Sequence, residues 1–77
     1  MPLFRVQTAD HSYEVTATRV VADRGGLVFE SRGQNVWVHR HQVPSADVVK
    51  LTRRINELSG AVSWVTERPL ALGSAGA

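Results

Sequence analysis

A chain of 77 residues without a single cysteine is one small domain that must hold together without disulfides and without thiolate-bound zinc. Nine basic residues against seven acidic ones leave +2 at neutral pH, a mild balance even though eight of the nine cations are arginine. Thiol catalysis is excluded outright, and no run of about 18 apolar residues exists to span a membrane.

LFRVQT alternates, with Phe4, Val6 and Thr8 on one side and Arg5 and Gln7 on the other, which predicts a half-buried strand over 3–8. ADHS follows as a turn, because Asp and Ser side chains bond nearby backbone N–H groups. Alternation resumes over 13–22, with Tyr13, Val15 and Ala17 inward, until Val20-Val21 breaks the phase and marks a bulge or strand end. DRGG is a hairpin turn signal whose two glycines supply positive φ. Strands are expected again over 27–31 and 36–43, joined by the turn RGQN.

The period then changes. Val48, Leu51, Ile55 and Leu58 recur at three, four and three, one stripe of a helix over 45–59. Ser45 stands at the N-cap, Asp47 in the first turn and Gly60 at the C′ position. The competing reading is a single turn at PSAD followed by a fifth strand, VVKLTRR, as in SH3-like small barrels. Against it, Arg53 falls on the face of Val49, Leu51 and Ile55. AVSWVTE predicts a short C-terminal strand over 61–67. The fold expected is therefore α+β, a four-stranded antiparallel meander with one helix packed on one face. Residues 1–69 form a single domain and 70–77 a disordered tail.

Chemistry-bearing residues are few. An ideal strand places His39 and His41 on one face, roughly 6.5–7 Å apart, beside Trp37. Two imidazoles so placed can share a metal ion, given a third ligand. Their plain role is to decorate an aromatic strand face. Asp10-His11-Ser12 holds the residue types of a hydrolase triad, but neighbours in one turn seldom reach its geometry. Phosphate-binding glycine patterns are missing, and a domain this small rarely encloses a catalytic pocket.

A helix over 45–59 would present Lys50, Arg53 and Arg54 opposite its apolar stripe, a candidate nucleic-acid surface. Val36 and Val38 on strand four, with Val28 and Val20, imply a second apolar sheet face that no helix covers. Trp64 lies on a further strand able to pair along an edge. Self-association into a two-fold dimer through Val36, Val38 and Trp64 is the economical way to bury such surface. The sequence thus points to a non-enzymatic interaction module without cofactor, a homodimer that binds another protein. Nucleic acid through Lys50, Arg53 and Arg54 is the alternative, and metal through His39 and His41 a distant one. The N-terminal residues lack a signal peptide's apolar core, so a cytoplasmic location is expected. Arginine in place of lysine, with abundant Ala, Val and Gly, suggests a GC-rich bacterial genome.

Overall fold

The computed structural model describes residues 2–71 as eight strands and one 3₁₀ turn. The strands are β1 (Leu3–Thr8), β2 (Ser12–Thr16), β3 (Arg19–Asp23), β4 (Gly26–Arg32) and β5 (Trp37–Pro44). The 3₁₀ turn Ser45–Asp47 follows, then β6 (Val48–Asn56), β7 (Val62–Thr66) and β8 (Leu70–Ala71). They form two four-stranded sheets, ordered β2-β1-β6-β7 and β5-β4-β3-β8. Every pairing is antiparallel except that of β8 with β3.

The expected helix over 45–59 is corrected to a 3₁₀ turn and a nine-residue strand, so the fold is not α+β. Locally this is the sequence of elements that the rejected reading required: a turn at PSAD, then a strand. The misreading has a physical source. Leu51 and Ile55 share a face in a helix of period 3.6 and equally in a strand of period 2, so their spacing of four decides nothing. Val48, Val49, Thr52 and Ile55 are β-branched and favour the strand. Leu58, the last member of the supposed stripe, is fully exposed. Gly60 does adopt φ +91°, but in the β6–β7 hairpin, where Glu57 N donates to Ala61 O and Gly60 N donates to Glu57 O.

The expected continuous strand over 13–22 is also corrected. It breaks at Ala17-Thr18, where the chain leaves one sheet for the other. Ala17 N donates to Pro2 O at 3.1 Å, against the start of β1, whereas Thr18 N donates to Glu30 O of β4 at 2.7 Å. Two adjacent residues thus bond to different sheets. Ala17 is wholly buried at this corner. The four-stranded meander is therefore a hairpin, β1–β2, followed by a three-stranded run, β3–β4–β5.

The inner faces of the sheets meet in one core. Phe4, Val6 and Leu51 come from the first sheet; Val20, Leu27, Phe29 and Val43 come from the second. The Phe4 and Phe29 rings pack edge to face with centroids 5.7 Å apart across the interface. This packing corrects the picture of a sheet with an uncovered apolar face. Val20 belongs to the core, opposite Phe29 in the register, and each sheet covers the other. Val36 and Val38 are exposed and lie over Gly33, whose absent Cβ leaves room for both. Leu70 and Ala71, at the start of the expected tail, extend the second sheet as β8, pairing with Val21 and Ala22. Residues 72–77 lie outside the described part of the chain. Among the described residues no helix is long and apolar enough to cross a membrane.

Candidate functional site

β2 and β5 are edge strands of different sheets, and side chains rather than backbone hydrogen bonds join them. The Tyr13 hydroxyl lies 2.8 Å from His41 Nε2, and the two rings meet edge to face at 5.2 Å. The hydroxyl donates to Nε2 when the imidazole carries its proton on Nδ1. His41 also packs on Phe29 at 5.6 Å, and Tyr13 stacks on His11 at 5.6 Å. Aromatic side chains therefore run from the core, through the seam, to the surface.

A groove of about 380 Å³ opens where the seam reaches the surface. One wall is the β1–β2 turn, with Thr8, Asp10 and His11, and Tyr13 behind it; the other is the 3₁₀ turn, with Val43, Ala46, Asp47 and Val49. The turn is held by Thr8, whose Oγ1 donates to His11 O at 3.0 Å and accepts from His11 N at 3.2 Å. The 3₁₀ turn is fixed from behind by Ser45 N, which donates to Gly25 O at 2.7 Å. Burial pushes the Tyr13 hydroxyl pKa above its ordinary value of 10.0, and the nearby Asp47 carboxylate adds to the rise.

His39 and His41 do not share a face. Phe29 pairs with His41 and the next residue, Glu30, pairs with His39, so Arg40 is an extra residue on β5. This bulge resets the alternation. His41 stays on the inner side with Phe29, while His39 goes to the outer side with Glu30 and is exposed. The register thus parts the two imidazoles, and among the described residues no group of three His, Asp or Glu side chains converges to hold a metal ion. His11 Nδ1 faces Thr8 Oγ1 at 3.4 Å rather than Asp10 or Ser12, and Ser12 belongs to β2 opposite Gln7. The three adjacent residues form no relay.

The cations assigned to one helix face are divided by the strand. Lys50 and Arg54 point outward from β6, while Arg53 turns inward with Leu51 and Ile55. Arg53 Nε lies 3.3 Å from Glu67 Oε1 but off the hydrogen-bond line, leaving that N–H without an acceptor. On the outer face of the first sheet, Arg5 pairs with Glu14 at 3.0 Å and lays its guanidinium 3.9 Å from the Trp64 ring centroid. On the outer face of the second, Trp37 carries Arg19 at 3.6 Å and Arg32 at 5.2 Å, and Arg19 also pairs with Glu30 at 2.8 Å. Trp64 stands on the first sheet, whereas Val38 belongs to β5 of the second and Val36 lies just before that strand.

The sequence reading missed the Tyr13–His41 pair and the groove. Twenty-eight residues separate the partners, and only the pairing of both hairpins brings them together. No protein-family model matches the chain, and neither a curated protein nor a solved structure matches it.

Proposed function

We propose that this protein is a non-enzymatic interaction module that receives an extended segment of a partner protein in the groove between the β1–β2 turn and the 3₁₀ turn. One observation carries the reading: a groove of about 380 Å³, lined by the aromatic His11 and Tyr13, the aliphatic Ala9, Val43, Ala46 and Val49 and a few polar side chains, open along the seam of two edge strands. Small ligand sites start at about 300 Å³. Tyr13, held by His41 and stacked with His11, offers flat apolar area of the kind that anchors bound peptides at low conformational cost. The Thr8 hydroxyl of the groove, with Oγ1 at 3.4 Å from His11 Nδ1, is engaged with the His11 backbone, donating to its carbonyl and accepting from its N–H, which favours a turn-holding role.

The test is selection of peptides from a random displayed library, followed by amide chemical-shift mapping on the labelled protein. Selected peptides are expected to shift Asp10, His11, Ala46 and Asp47. Ala46→Arg, an exposed position on the groove wall, is expected to abolish binding with the dispersed spectrum intact. Equal binding to that variant overturns the reading.

A second reading rests on a separate observation. Arg5, Lys50 and Arg54 share the outer face of the first sheet with Trp64, against the one carboxylate Glu14. Cations beside an indole ring suit single-stranded nucleic acid, through phosphate contacts and base stacking. Lys50→Glu with Arg54→Glu would abolish a salt-sensitive gel shift on this reading and leave peptide binding intact on the first. Pairing of two copies, the other partner expected from the sequence, would use the β7 edge and leaves the groove open.

A further inference from the structure

The groove carries charge of one sign in a chain whose net charge has the other. Asp10 stands on one wall and Asp47 on the other, and no lysine or arginine lines it. The four glutamates have partners, Glu14 with Arg5, Glu30 with Arg19, Glu67 with Arg53, and Glu57 with the Ser63 hydroxyl, whereas Asp23 lies outside the groove at the β3–β4 turn. Among the described residues neither Asp10 nor Asp47 is in an ion pair. Burial, and after it the Asp47 carboxylate, raises the pKa of the Tyr13 hydroxyl, which places Asp47 within electrostatic reach of that ring. The His11–Tyr13 stack lines the groove together with both carboxylates.

We infer, building on the peptide-binding reading above, that the occupant of this groove is an extended partner segment presenting an arginine between Asp10 and Asp47, stacked against Tyr13 and His11. Two carboxylates flanking an aromatic face match a guanidinium, which is planar, weakly hydrated and able to stack while its edge N–H groups bond outward. Lysine fits the charge but not the stacking, and so ranks second. The small apolar residues Ala46, Val43 and Val49 take the neighbouring side chains of the segment.

The test uses a blocked pentapeptide with central arginine and alanine or valine elsewhere, titrated to millimolar concentration into the labelled full chain. Amides of Asp10, His11, Ala46 and Asp47 are expected to shift. The glutamine-centred peptide should bind about tenfold more weakly, the scale of two partly exposed charge contacts. Asp10→Asn with Asp47→Asn should bind both peptides alike, and raising salt from about 20 to 300 mM should weaken only the arginine peptide. Should the double variant not fold, Asp47→Asn alone is expected to lose about half of the preference on a logarithmic scale.

Equal binding of the arginine and glutamine peptides within the groove overturns the cation assignment and leaves the peptide-binding reading standing. Absence of any shift there, while library-selected peptides still map to it, does the same. Shifts confined to other surfaces for every peptide tried overturn both. Dilution of the protein alone shifting these same amides would place a second copy in the groove, and that also overturns the partner assignment.

Discussion

His41 and Tyr13 join two sheets through one hydrogen bond and one ring contact, which gives both residues measurable consequences. The chain has a single tyrosine, so its absorbance near 295 nm reports one phenol. Its titration midpoint is expected above 10.0, because burial and the Asp47 carboxylate disfavour the phenolate. In the unfolded chain the phenol ionises at its ordinary value. The stability held by the protonated hydroxyl is therefore complete below pH 10 and declines as pH rises through the higher folded value. Tyr13→Phe should flatten that alkaline decline and lower stability at pH 7 by about 1 kcal/mol. A midpoint at or below 10.0 would refute it. The histidines separate in the same way. His41→Ala removes the seam's second ring and should cost about 1–3 kcal/mol, whereas His39→Ala, exposed on the outer face, should stay within about 0.5 kcal/mol. Equal costs in chemical denaturation would mean that the Arg40 bulge does not part them.

At the scale of elements, legibility depended on how local the deciding interaction was. β1 could be read directly from Phe4 and Val6, and the turns from Asp, Gly and Asn, because those signals are complete within a few residues. Ala17-Thr18, the Arg40 bulge and β6 could not, since each is decided by a strand elsewhere in the chain. Even the readable turns carried a surprise. Arg24 and Gly25, not the two glycines, take φ +51° and +79°, flanked by the Asp23–Gly26 pair. A two-residue turn with positive φ at both central positions favours Asn-Gly. Arg24→Asn should stabilise the hairpin by about 0.5–1 kcal/mol, read as a higher denaturation midpoint at unchanged slope. A lowered midpoint would mean that the Arg24 side chain does more than tolerate its backbone. Arg53 misled for the opposite reason: an inward arginine looked incompatible with a strand. Its charge reaches Glu67 near the end of the sheet while Nε goes without an acceptor. Arg53→Met keeps the length and removes an imperfect pair, so stability should be unchanged or higher. A loss beyond about 1.5 kcal/mol would show the ion pair to be a net contributor.

At the scale of the molecule, the two sheets use up their inner faces on each other, and what remains for partners is decided by edges. Four strands are edges: β2 and β7 in one sheet, β5 and β8 in the other. β2 and β5 are tied together at Tyr13 and His41. β5 is further guarded by its bulge and by Pro44, and β8 is only two residues long. β7 has neither proline nor bulge nor any charged residue across Val62–Thr66, and Val62 is exposed. An unguarded edge of five residues can pair with itself about a two-fold axis, continuing the first sheet from one copy into the next. Such an interface is small, so the dimer is expected to be weak and concentration-dependent. Sedimentation at tens to hundreds of micromolar should return a weight-average mass rising above the 8.5 kDa of one chain. Val62→Lys, placing a charge on that edge, should return it to the monomer while Ala46→Arg leaves it unchanged. A mass that stays at 8.5 kDa throughout the range would mean that β7 meets only solvent, and that whatever this protein binds it binds as a single copy.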